Sequence, residues 1–207
     1  MSKIIFFDIE TVPAHKSIND AEDFVRYYFS EKFKKEIEEL APKMSDLQDT
    51  DYQESLQLAL DEVYKSNAAL FPEFAKIVCI SVGYINGDDV KTKSFAGLCE
   101  KSILSGFREV ITGGKAYSTI LGGHNIIDFD IPFVCKRMLH HEMPIPSVIN
   151  MSGKKPWEIT HVDTVQILKF GSFSSRMSLA NVCHLLGVKT PKDDIKGSHV
   201  GAVYYSG

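Results

Sequence analysis

Apolar positions along the chain alternate between strand-like runs and helix-like stripes. Ile4-Ile5-Phe6-Phe7 is a continuous apolar run of the kind a buried strand uses, and it turns acidic at Asp8 and Glu10, where the strand is expected to end. Ala21, Phe24, Val25, Tyr28 and Phe29 then recur at helical spacing behind Asp20, a candidate N-cap, and Phe33, Ile37 and Leu40 continue the stripe. Ala41-Pro42 should end that helix, because a proline removes a backbone donor and disfavours helix in the residue before it. Ser45 to Asp51 reads as a loop, and Tyr52, Leu56, Ala59, Leu60 and Val63 mark a second amphipathic helix. Together these helices form an insertion between strands.

Strand character returns from Ile77 to Ile85, breaks at Asn86-Gly87-Asp88-Asp89 and resumes from Val90 to Phe95. Asn-Gly between two such runs is a strong hairpin signal, so this part of the sheet should be antiparallel. Leu98, Ile103, Phe107, Val110 and Ile111 predict a helix closed by Gly113-Gly114, and Tyr117 to Leu121 a short strand entering Gly122-Gly123-His124-Asn125. Ile131, Val134, Cys135, Met138 and Leu139 predict a further helix, with Pro132 in its first turn. Trp157 to Val162 reads as a strand ending at Asp163, and Ser178 as the N-cap of a helix through Leu179, Val182, Cys183 and Leu186 that Gly187 closes. The order of elements predicts an α/β domain, a mixed sheet with helices packed on it.

The acids give this outline its chemistry. Residues two apart on a strand share a face, so Asp8 and Glu10 project together with Cα atoms roughly 6–7 Å apart, a spacing that suits a shared divalent cation. Acids that merely end a strand would face water. Ile4 and Phe6 share their face, however, which should therefore begin as core and become acidic at its carboxyl end, where sheet proteins favour ligands. A second acidic segment runs from Gly123 to Pro132. Asp130 precedes Pro132 as a natural N-cap, and Asp128 competes with it for either capping or metal binding.

At 207 residues, 44% hydrophobic and 24% charged, the chain can bury one sizeable core and is expected to form one domain over 1–207. A net charge of −4 argues against a protein that coats nucleic acid through many phosphate contacts, and less against an enzyme that grips one strand end through metal ions. Cys79, Cys99, Cys135 and Cys183 form no C-x-x-C pair and read as reduced cysteines. The N-terminal apolar run is too short for a signal peptide or membrane span, so the expectation is a cytoplasmic protein without a membrane partner. Tyr28, Phe29 and Phe33 read as core rather than as base-stacking residues. His161 and His184 read as structural, and Lys154, Lys155 and Lys192 as surface charge.

Phe7-Asp8-Ile9-Glu10-Thr11 and Asn125-x-x-x-Phe129-Asp130 together resemble the first two motifs of the DEDD superfamily of 3′-to-5′ exonucleases, above all the proofreading domains of family-B DNA polymerases and their stand-alone relatives. The resemblance implies a ribonuclease H-like mixed sheet whose first three strands are antiparallel. It implies that Asp8, Glu10 and Asp130 are catalytic and hold two divalent cations, Mg²⁺ or Mn²⁺, for which carboxylate oxygen is the fitting donor. Two such ions stabilise the attacking and leaving oxygens of an in-line displacement, and the product is a nucleoside monophosphate. Thr11, Asn125 and Phe129 would contact substrate, Asp128 would be a bystander, and Asp163, whose counterpart in similar proteins is structural, would stay outside the site. Single-stranded DNA is the favoured substrate, with RNA open.

The family's third motif, Tyr-x-x-x-Asp or His-x-x-x-Asp on a final helix, has no counterpart: His199 is followed four positions on by Val203, and Tyr204-Tyr205 run out at Gly207. The expectation is therefore a domain lacking its final helix, through truncation or by nature. Two other classes compete. One is a noncatalytic nucleic-acid-binding module of the same fold. The other is an aspartate-nucleophile phosphatase with Asp8 as nucleophile, which the long insertion and the hairpin oppose.

Overall fold

The computed structural model describes residues 3–48, 51–113, 119–172, 176–190 and 197–206. In chain order the elements are β1 (Lys3–Pro13), α1 (Asp23–Lys32), α2 (Lys34–Gln48), α3 (Tyr52–Asn67), β2 (Ala75–Asn86), β3 (Asp89–Ala96), α4 (Glu100–Thr112), β4 (Thr119–Gly123), α5 (Asp130–His140), β5 (Val162–Asp163), α6 (Thr164–Leu168), α7 (Leu179–Leu186) and α8 (Gly197–Ser206), with short 3₁₀ turns between some of them. The chain divides into two compact units, one running to Glu10 and resuming at Ile77, the other holding Thr11–Lys76 and returning at Gly197. Among the described residues no helix is long and apolar enough to cross a membrane.

The first unit is built on a mixed five-stranded sheet in the order β3-β2-β1-β4-β5, flanked by helices. β2 and β3 form the antiparallel hairpin that Asn86-Gly87 predicts, with Ile85 opposite Val90, and Gly87 takes the left-handed φ of 64° that such a turn requires. β1 runs parallel to β4, with Ile5 opposite Leu121 and Phe6 opposite Gly122, and β4 parallel to β5, with Gly123 opposite Asp163. The core forms from Ile5, Phe7 and Ile9 of β1, Ile77 and Ile80 of β2, Leu104 and Phe107 of α4, and Ile131, Val134 and Met138 of α5, all buried. The Phe7 and Phe107 rings stack at 5.2 Å between centroids.

Here β1 departs from expectation. It does not end at the acids but continues to Pro13, and its acidic face is not core at the start: Ile4 and Phe6 are 38% and 42% exposed, while the alternate residues are buried. Phe6 instead lies over Gly122, where a Cβ would stand 2.9 Å from its ring. The region expected to be a strand from Trp157 to Val162 is a 3₁₀ turn at Pro156–Glu158 followed by only two strand residues.

In the second unit, α1, α2 and α3 enclose their own core of Phe29, Phe33, Ile37, Ala41, Val63, Tyr64 and Phe74. The N-cap position of α1 is Glu22 rather than Asp20; Asp20 instead ends a 3₁₀ turn and closes a capping box with Ser17. Pro42 does not end a helix; it lies inside α2, which takes in Ser45 and runs to Gln48, and burial of Ile37 and Ala41 on the preceding turn outweighs the lost backbone bond. The aromatic stripe divides: Phe29 and Phe33 are core, as expected, whereas Tyr28 is half exposed. Tyr117 and Lys192 lie outside the described residues.

Candidate active site

Three parallel strands deliver their carboxyl-side residues to one edge of the first unit. Asp8 lies two residues beyond the last position at which β1 pairs with β4, β4 gives way to His124-Asn125, and β5 ends at Asp163. Close approach is possible there because residue 123 is glycine; a Cβ would come within 2.4 Å of Ile126 and 2.9 Å of the Phe7 carbonyl oxygen.

The turn out of β4 is held by Asp163, only 2% exposed. Its Oδ1 accepts the backbone N–H groups of Asn125 and Val165, each at 2.9 Å, and its Oδ2 accepts that of Ile127 at 3.0 Å. With those donors taken up, Asn125 adopts a left-handed φ of 67°, which asparagine tolerates better than most residues. The Asn125 Oδ1 is buried and has no hydrogen-bond partner among the described residues. A strained residue with an orphaned acceptor is the kind of feature that function rather than stability retains.

Asp130 is the first residue of α5 and does not cap it; the cap position is Phe129. Its carboxylate turns instead to β1, where Oδ1 accepts the Ile9 N–H at 3.1 Å, and it is 3% exposed. Burial, and then the negative charge of Asp8, push its pKa up to about 7 against the opposing effect of the Ile9 hydrogen bond. Asp8 and Asp130 line one cleft of about 410 Å³, whose walls also include Asn125, Phe129, His124 and Arg176.

The expected site residues are thus only partly assembled. Asp8, Asn125, Phe129 and Asp130 meet at the cleft, whereas Glu10 is an exposed residue of β1 outside its walls. Thr11 belongs to the second unit, where its hydroxyl donates to the Ala69 carbonyl at 2.8 Å. Asp128 lies outside the cleft walls, where its Oδ2 pairs with Arg176 Nη2 at 2.8 Å and accepts from Gln166 Nε2 at 3.3 Å. His161 is structural, as expected, with Nδ1 accepting the Leu121 N–H and Nε2 donating to the Val148 carbonyl, and His184 is exposed on α7. Asp163 is structural, as expected, and Arg176 is the residue that the sequence left unmarked.

The donor chemistry fits a hard divalent cation, since two carboxylates share a partly dry cleft and one is held in a state that a positive charge would relieve. Among the described residues, however, no three His, Cys, Asp or Glu side chains gather as a ready-made metal site.

Comparison with known proteins gives the fold and the family. A structure of the family-B DNA polymerase from the hyperthermophilic archaeon Pyrobaculum calidifontis matches over 99% of this chain at a TM-score of 0.55 and 14% identity. The match takes in 21% of that polymerase chain, so it shows a shared ribonuclease H-like fold and leaves most of the polymerase without a counterpart. No curated protein matches. A family model matches residues 67–207, which include Asn125, Phe129 and Asp130 but not Asp8 or Glu10. By that match over more than half of its length, the chain belongs to the family of predicted 3′-5′ exonucleases related to the exonuclease domain of PolB.

Proposed function

We propose that the protein is a metal-dependent 3′-to-5′ exonuclease domain that releases nucleoside monophosphates from nucleic-acid ends, with single-stranded DNA as its preferred substrate. The observation that carries this reading is the placement of Asp130, buried with a pKa of about 7 in the same cleft as Asp8. Asp8, Glu10 and Asp130 would hold Mg²⁺ or Mn²⁺, which when bound neutralises the carboxylates and polarises the scissile phosphodiester. The residues of the chain do the positioning. Asp163 fixes the loop, the Asn125 amide faces the scissile region, and the half-buried Phe129 ring offers a surface for the terminal base. A contact from Thr11 to the terminal nucleotide would have to exchange its hydrogen bond to Ala69. Four free cysteines support a cytoplasmic setting.

The test is a 5′-labelled oligonucleotide incubated with Mg²⁺ or Mn²⁺, comparing wild type with Asp8→Ala. Stepwise shortening by wild type alone is the expected result; none, or shortening that Asp8→Ala leaves untouched, overturns the reading. A noncatalytic binding module is the second reading, favoured by the absence of a ready-made three-ligand metal site among the described residues. Retention of the label without shortening would select it.

A further inference from the structure

The cleft that holds Asp8 and Asp130 presents negative charge to a substrate that is itself a polyanion. Among its described wall residues, Arg176 alone is Lys or Arg. Its backbone is anchored from the C-terminal side: the neighbouring Met177 carbonyl meets His124 Nε2 at 3.0 Å, and Ser178 caps α7 by accepting the Asn181 N–H. His124 is in turn tied by Nδ1 to Thr164 Oγ1 at 2.9 Å. The guanidinium is therefore carried on the cleft wall beside an anchored stretch of backbone.

It is parked on Asp128, one residue before Phe129, through Nη2. That carboxylate oxygen is shared with Gln166, and the two ion-pair partners are 62% and 39% exposed. Exposed pairs of this kind contribute little and exchange readily. A guanidinium carries five N–H donors in a planar fork suited to phosphate oxygens, so one bond to Asp128 leaves it able to engage a phosphodiester.

We propose that Arg176 is the phosphate-gripping residue of this cleft, held ready by Asp128 and transferred to a backbone phosphate of the bound strand. The inference rests on the nuclease reading and adds to it the group that overcomes the cleft's own negative charge.

Anisotropy of a 5′-fluorescein-labelled oligothymidylate in EDTA, followed over a range of KCl, tests this without cleavage or metal. Each phosphate contact to a single strand contributes about 0.7 to the slope of log Kd against log salt, so Arg176→Ala lowers the slope by about 0.7. At low salt its binding weakens roughly two- to fivefold. Arg176→Lys, which keeps the charge, retains the slope. Lys91→Ala, on the exposed face of β3, changes neither quantity. An unchanged slope in Arg176→Ala, with wild type binding normally, overturns the inference and leaves the nuclease reading standing. Wild-type protein that neither binds the oligonucleotide in EDTA nor shortens it with Mg²⁺ overturns both.

Discussion

Two buried acids stand at opposite ends of α5, and the protein treats them oppositely. At the C-terminal end, Glu100 of α4 is met by Arg137 through Nε at 2.8 Å and Nη2 at 2.6 Å, by His141 Nε2 at 2.7 Å and by the Ile77 N–H at 2.7 Å. Burial alone would raise its pKa, but those hydrogen bonds and the Arg137 charge outweigh it and hold the carboxyl below its ordinary value. At the N-terminal end, Asp130 has Ile9 N–H as a donor but faces a second acid, and its pKa rises to about 7. One end of α5 thus meets a carboxylate that the fold has satisfied, and the other end carries one that faces a second acid. The satisfied acid ties β2, α4 and α5 together; the other lines the cleft with Asp8.

The largest test of that contrast is Glu100→Ala. It leaves the buried Arg137 without its bidentate partner, and breaking such a pair costs about 3–5 kcal/mol, read as a lowered urea midpoint. Asp163→Ala strips three backbone donors of their acceptor and should cost about 2–4 kcal/mol, with the strongest gain in amide exchange at Asn125 and Ile127.

Asp130→Asn should go the other way. The native pKa is raised above its unfolded value, so the protonated form's advantage is present below about pH 4 and is lost as pH rises through about 7. In metal-free buffer the substitution should therefore stabilise the protein by about 2–3 kcal/mol at pH 8 relative to its effect at pH 5. Glu100 has the opposite sign: its depressed pKa stabilises above the ordinary carboxylate range, and that stability is lost in acid. The smallest effect on stability is Arg176→Ala, below about 0.5 kcal/mol because its ion pair is exposed, although it alters nucleic-acid binding.

What was legible in the sequence follows from where local rules act alone. The Asn86-Gly87 hairpin, the Ser178 cap and the left-handed Gly187 that closes α7 are each set within a few residues, and all three stand as read. Pro42 misled because burial on the helix face, a tertiary effect, overrode its local preference. The Asp130 carboxylate could not be oriented from spacing, since its acceptor role is satisfied by Ile9, far away in the chain. Arg176 was missed, and the loop that Asp163 holds was not legible, for the same reason: their partners, Asp128 for one and Asn125 and Ile127 for the other, come from another part of the chain.

The most direct test of the central claim is a carboxyl-carbon NMR titration of Asp130 in the metal-free protein, repeated with Mg²⁺. The account predicts a titration near pH 7 without metal, because of burial and Asp8, and a marked downward shift when Mg²⁺ is added. Titration in the ordinary carboxylate range, unmoved by Mg²⁺, would contradict it.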